Sequence, residues 1–315
     1  MVKKANVVVL GGGTGLSVIL RGLKTFPVDI SAIVTVADDG GSSGRLRKEL
    51  NIPPPGDIRN VLVALSEVEP LVEELFQHRF TNGNGLSGHS LGNLLLAGMT
   101  SITGDFAQGV REISRVLNVK GKVIPASNDS ITLHAEYEDG SKVEGESNIP
   151  LAGKKIKRVF IEPAETKPMR EAIQAIEEAD LVVLGPGSLY TSVIPNILVS
   201  GMKEALERTD AWKVYICNVM TQPGETDNYT VSDHVRAIDD HSNAKLVDAV
   251  LFNTQTIPSS YVERYKSQGA VNVRVDAKEL QDMGVQIIGD DLLLFDNDLV
   301  RHDPIKVSQR LVSLL

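Results

Sequence analysis

Along the chain, apolar runs of strand length alternate with amphipathic stretches. The run at 5–10 is followed by a helical pattern at 16–26, and the run at 30–36 by a loop and then a helical pattern at 59–66. Later apolar runs at 159–162, 181–184, 214–218 and 249–252 are interleaved with helix-like segments at 167–178, 189–207 and 230–240. Period-two and period-3.6 patterning taking turns in this way is the signature of βαβ units and a parallel sheet. Between residues 71 and 117 the apolar spacing is helical, and Gly88-His89-Ser90 precedes LGNLLLAGM as a helix start would.

One segment breaks the pattern. SITLHAEYEDGSKVEGE alternates apolar and polar residues around Asp139-Gly140, a strong hairpin signal, so residues 122–150 are expected to form an antiparallel β-hairpin insertion. No repeat or linker interrupts the rest. The expected arrangement is one α/β domain over 1–315, with a mostly parallel, doubly wound sheet carrying that insertion.

Composition narrows the function. A net charge of −9 argues against a dedicated nucleic-acid binder, because such affinity comes from clustered Lys and Arg neutralising phosphates. The single cysteine, Cys217, cannot form an internal disulfide and follows an apolar run, as a buried strand-end residue does. The N-terminal apolar run stops at a glycine cluster, too short for a signal peptide, and no stretch of about 18 apolar residues exists. A cytoplasmic protein without membrane insertion is expected.

In an open parallel sheet, the loops leaving the strand carboxyl ends converge on one crevice. Four such loops carry candidate chemistry. In the first, Gly11 to Gly15, the backbone amides of Gly12, Gly13, Thr14 and Gly15 can face an anion at a helix start. It is not the dinucleotide fingerprint, since the third glycine of G-x-G-x-x-G falls at Leu16 or Val18, which disfavours NAD(P). In the second, residues 35–50, Asp38 and Asp39 can take a ribose hydroxyl or Mg²⁺ and Arg45 a phosphate; the plain alternative is a helix capped by Ser42 or Ser43. PPPGDIRN adds Asp57 at a further helix start, where an ordinary N-cap is the competing reading.

The third loop, LGPGSLYTSVIPN, offers Gly187, Ser188 and Thr191 for a second phosphate. The fourth, CNVMTQPGET, offers Asn218 for a base edge or sugar hydroxyl. Asn93, after His89-Ser90, is a fifth candidate, although neighbouring Ser and His face different ways on a helix. Tyr265 can stack on a base and Arg301 can clamp a phosphate, or each can serve packing and surface. Two anion loops on one crevice point to a nucleotide bearing a diphosphate.

The motifs GGGTGLS, VTVADDGGSSGRLR, PPPGDIRN, GHSLGN, GPGSLYTS and CNVMTQPGET, in order between about residues 5 and 305, resemble those of the bacterial gluconeogenesis-factor family. That family is related to the 2-phospho-L-lactate transferases of coenzyme F420 synthesis. The resemblance implies a Rossmann-like three-layer sandwich and binding of a UDP-sugar, notably UDP-N-acetylglucosamine, with no cofactor required. It also implies a regulatory role in cell shape and envelope morphogenesis on gluconeogenic carbon, leaving a homo-oligomer and envelope regulatory partners open. By the same resemblance Tyr265 and Arg301 join Thr14, Arg45 and Asn218 as nucleotide-sugar contacts. The transferase relatives imply the alternative, a Mg²⁺-dependent transfer of a phosphorylated three-carbon acid, with Asp38, Asp39 and Asp57 as catalytic acids and Asp38 and Asp57 as metal ligands. Only 4% of the chain is aromatic, with no cluster to stack a deazaflavin.

Overall fold

The computed structural model describes residues 4–296 and 299–315. Seven strands form one sheet: β1 (Ala5–Gly11), β2 (Val28–Val34), β3 (Lys122–Pro125), β7 (Leu181–Leu184), β8 (Trp212–Ile216), β9 (Ala249–Asn253) and β10 (Gln286–Asp290), in the spatial order β10-β9-β8-β7-β1-β2-β3. Every neighbouring pair is parallel. Helices cover both faces, so the strands read as unbroken apolar runs; all four residues of Leu181–Leu184 are buried.

Helix α1 (Gly13–Leu23) follows β1 and buries Leu16, Ile19, Leu20 and Leu23, the i, i+3, i+4, i+7 stripe of a helix lying on a sheet. It packs against α3 (Gly56–Leu65) and the C-terminal helix Pro304–Val312, while α2 (Gly41–Leu50) leads into α3. Next come α4 (Pro70–Gln77), α5 (Leu91–Thr103) and α6 (Phe106–Val116), the last two packed as a pair. Ser90 caps α5 by accepting the Asn93 amide, and Asp105 caps α6 through the Gln108 amide. Among the described residues no helix is long and apolar enough to cross a membrane.

The antiparallel element differs in extent from the expected 122–150. Its strands are β4 (Thr132–Tyr137), β5 (Lys142–Glu144) and β6 (Ile156–Glu162), with the turn at Asp139-Gly140 where the sequence places it. Lys122–Pro125 belongs instead to the central sheet, and Ile156–Glu162, whose segment 159–162 is expected among the strands of that sheet, pairs with β4. A short apolar triplet such as Val159 to Ile161 carries no information on its partner, so tertiary pairing decided both assignments. The stretch expected as one helix over 189–207 is a π-turn, Leu189–Val193, followed by Ile194–Leu198 and Met202–Arg208, interrupted at Gly201 with φ of 81°. A final antiparallel pair, β11 (Leu293–Asp296) and β12 (Leu299–His302), packs beside the helix Ser259–Ser267.

Candidate functional site

From β1 the sheet grows to β2 and β3 on one side and from β7 to β10 on the other. The junction of β1 and β7 is therefore the point where strand order reverses, and ligands of open α/β sheets sit at the carboxyl ends there. The loops leaving those two ends are the two glycine turns. They touch: a β-carbon placed on Gly15 would lie 2.7 Å from the Pro186 carbonyl oxygen, and one on Gly187 would lie 3.5 Å from the Gly12 carbonyl oxygen. Gly13 at φ 64° and Gly185 at φ 77° take left-handed backbone that a side chain would strain.

Together they floor a cleft of about 610 Å³, within the range of ligand sites. Gly12 to Gly15, Gly187 and Ser188 line it, along with Asp38, Asp57, Asn218, Tyr265 and Arg301. These eleven residues come from segments that meet only in the fold. The amides of Thr14 and Gly15 belong to the first turn of α1 and have no partner within the helix, which leaves them for an anion.

Each wall is held by its own contacts. Asn218 Nδ2 donates to the Gly187 carbonyl at 2.9 Å, and Gln222 Nε2 donates to Ser188 Oγ at 2.7 Å, so the fourth loop braces the third. Tyr265 accepts the Val300 amide on its hydroxyl at 3.1 Å, which fixes the ring against β12 and brings Arg301 to the rim. Arg301 is exposed and has no carboxylate partner among the described residues. A β-carbon on Gly56 would stand 2.7 Å from Asp38 Oδ2, so only a glycine lets α3 start against the second loop and set Asp57 beside Asp38.

Carboxyl groups are concentrated here. Burial, then the Asp38 charge, pushes the Asp57 carboxyl up to about 7, against the pull of the Gly13 amide that it accepts and of Arg59. Glu146 lines the same cleft, and burial followed by the charges of Asp38 and Asp57 raises it to about 8. Asp38 and Asp57 are the pair of the lining that could contribute to holding a divalent cation beside ligand phosphates and water. Among the described residues no group of three or more His, Cys, Asp or Glu is arranged around one metal position.

Four sequence candidates lie outside the cleft lining. Thr191 is buried and its hydroxyl donates to Glu225 Oε1 at 3.1 Å, while the Tyr190 amide also meets that carboxylate. The helix start expected to hold a second phosphate is thus capped in part by an internal acid, leaving the Gly187-Ser188 end of the loop facing the cleft. Asn93 is buried, donating to Ser42 Oγ at 3.1 Å. Arg45 turns to the Ser87 carbonyl at 2.9 Å, and Asp39 accepts the Ser147 amide at 2.9 Å. Cys217 is buried, as expected, and burial raises its thiol far from reactivity.

Three residues escape a reading of sequence. Glu146 reaches the cleft because the turn Glu146–Asn148 folds over the second loop, and Glu225 comes from a loop that reads as merely polar. His302, buried with its Nε2 unpartnered and its imidazole pushed down to about 4, lines the cleft as a neutral ring. The nearest sequence signal is its adjacency to Arg301.

Residues 7–293 match the family described as 2-phospho-L-lactate transferase CofD. The chain is 66% identical over 311 residues to a protein named gluconeogenesis factor in Halalkalibacterium halodurans, covering 99% of this chain and 97% of that one. It is 59% identical over 315 residues to the gluconeogenesis factor of Bacillus subtilis, covering 100% and 99%. A crystal structure from Bacillus halodurans superposes with a TM-score of 0.97 at 66% identity, covering 98% of this chain and 100% of that one. A second, of a protein described as a member of the UPF0052 family, gives 0.96 at 65% identity, covering 98% and 99%.

Proposed function

The chain belongs to the 2-phospho-L-lactate transferase CofD family, and from that premise we propose that it is a nucleotide-sugar-binding regulatory protein, supporting growth and cell shape on gluconeogenic carbon. Its ligand is a UDP-sugar, with UDP-N-acetylglucosamine preferred, and it acts in the cytoplasm through envelope regulatory partners. The single observation that supports the reading is the contact between the two glycine turns on one cleft: a diphosphate would use the amides of Thr14-Gly15 and Gly187-Ser188 together, where one phosphate would leave half the donors unused.

The rest of the ligand follows from what stands around that point. Asn218 supplies a donor and an acceptor at the base or sugar, the Tyr265 ring offers a stacking face, and Arg301 adds the one cation of the lining among the described residues. At neutral pH, Asp57 and Glu146 are wholly or partly protonated, so they donate to phosphate oxygens rather than repel them. This makes binding without a metal chemically sensible. Where Mg²⁺ is present, Asp38 and Asp57 would hold it, and it would neutralise phosphate charge.

The three acids in the lining favour a second reading, a Mg²⁺-dependent transferase of a phosphorylated three-carbon acid, with Asp38 and Asp57 as catalytic acids. Tyr265 and His302 are the only aromatic rings of the lining among the described residues, a poor surface for a flavin-like acceptor. Thermal unfolding separates the readings. UDP-N-acetylglucosamine at about 100 times its dissociation constant should add roughly 2.7 kcal/mol without Mg²⁺ or turnover. A shift only with NAD(P), or only with GDP and Mg²⁺, overturns the regulator. Product from a nucleotide-activated lactate, lost in Asp38→Asn, would establish the transferase.

A further inference from the structure

Arg59 on α3 is a buried charge without a counter-ion. Its side chain is 7% exposed, yet no carboxylate stands within ion-pair distance of it among the described residues. Nη2 donates to the neighbouring Asn60 Oδ1 at 2.7 Å, and Nε is buried with no partner. Burial and then the like charge of Arg79 act against the guanidinium, ahead of the opposing pull of Asp57 and Asp38. Buried charges are ordinarily paired, so the missing partner calls for an anion from outside.

Two more arginines come to the same place. A β-carbon on Gly92, in the first turn of α5, would lie 2.8 Å from Arg59 Cδ, so the arginine stem runs along that helix start. Arg79 forms a bridge with Ser90, the cap of α5, and its Nη1 donates to the Gly88 carbonyl at 2.6 Å. Arg45 donates to the Ser87 carbonyl at 2.9 Å. Residues 87–92 thus collect three guanidiniums whose hydrogen-bond acceptors among the described residues are all neutral. The nearby acids are turned elsewhere or unengaged: Asp57 accepts the Gly13 amide and lines the cleft with Asp38, and Glu49, whose charge reaches His89, is exposed and makes no ion pair.

His89, 4% exposed, supplies a donor without a charge. Asn93 Nδ2 donates to Ser42 Oγ at 3.1 Å, so the Ser42 hydroxyl donates to His89 Nδ1 at 2.9 Å and the ring proton sits on Nε2. Burial and then the Arg45 charge push the imidazole below its usual pKa, which keeps the ring neutral at neutral pH.

We propose that Arg59, Arg79 and His89 form an oxyanion site at the start of α5, with Arg45 at its edge, and that it takes the phosphate group of a small molecule. Arginine forks match phosphate oxygens, and the Gly92 amide adds a donor at the positive end of the helix. None of these four side chains lines the glycine-turn cleft, and Arg59, two residues after Asp57, leaves α3 on a different side. The inference does not depend on what the cleft binds.

The experiment is a proton–nitrogen NMR titration of the full, isotope-labelled chain with inorganic phosphate, at an ionic strength held constant with sodium chloride. The Gly92 amide and the Arg59 Nε–H should move saturably with one dissociation constant. Arg79→Ala, at an exposed position where folding is not at stake, should raise that constant about tenfold, and Arg59→Gln should abolish the response. Glycerol phosphate separates the sources: tighter binding than inorganic phosphate marks a phosphate ester as the occupant, weaker binding marks phosphate itself, and both sustain the site. Shifts confined to Thr14, Gly15, Gly187 and Ser188, a response matched by chloride alone, or an Arg79→Ala titration superimposing on the parent would each overturn the proposal.

Discussion

Replacing Asp57 by Asn removes a charge that the fold holds at a cost. In an unfolded chain the carboxyl titrates at 3.8, and in the cleft it is pushed up to about 7 by burial and by Asp38. Because the folded value is the higher one, the folded chain keeps its proton over this interval while the unfolded chain has lost it. Stability therefore declines as pH rises from about 4 to about 7, and the full penalty remains above that. At about 1.36 kcal/mol per pH unit the penalty is at most about 4 kcal/mol, and cleft water reduces it to roughly 2. Asn keeps the size and can still accept the Gly13 amide. Urea unfolding across a pH series should show Asp57→Asn more stable than the parent by about 2 to 4 kcal/mol near pH 8, with the gain roughly halved near pH 5.5 and the m-value unchanged. A gain independent of pH, or a loss near pH 8, would refute the reasoning. A site that tolerates such a cost is one where the group serves a ligand rather than the fold.

Other expectations follow from the same geometry. Without Mg²⁺, UDP-N-acetylglucosamine affinity measured by calorimetry should fall as pH rises through about 7 to 8, because Asp57 and Glu146 then ionise against the phosphates; in Glu146→Gln the fall should shrink, and an identical profile would remove Glu146 from the site. Gly15→Ala drives a β-carbon against the Pro186 carbonyl and should cost about 1 to 3 kcal/mol as well as ligand binding, whereas Gly98→Ala, with nothing within 4 Å, should be neutral or gain up to about 1 kcal/mol. Equal effects in the two variants on thermal unfolding would contradict the packing account. Arg301→Ala should weaken UDP-sugar binding by about tenfold or more at unchanged melting temperature, as loss of a charge-assisted bond does; an unchanged titration would place Arg301 outside the site.

What could be read from the sequence divides along a physical line. The glycine turns after β1 and β7 were legible because anion-binding backbone is written locally, as small residues between an apolar run and a helix. The strand order that makes them neighbours was legible only as a rule for parallel sheets. Which hydroxyls face the cleft was not legible: Ser188 and Thr191 lie three residues apart in one motif, yet Thr191 turns inward to Glu225, a residue 34 positions away. Glu146 was invisible for a like reason, since its position depends on where the insertion packs. Arg45 and Asn93 belong to motifs that reach toward the site, but their side chains tie α2 to the segment preceding α5 and to α5 itself. The edge strand Gln286–Asp290 and the pair β11 and β12 give no strand signal in the sequence, because four or five residues with one or two polar breaks carry too little periodicity.

The most direct measurement is an amide chemical-shift titration of the isotope-labelled chain with UDP-N-acetylglucosamine. The account predicts that the amides of Thr14 and Gly15 and those of Gly187 and Ser188 move together, with one dissociation constant. Movement confined to one of the two turns, or to neither while the ligand binds elsewhere, would contradict it.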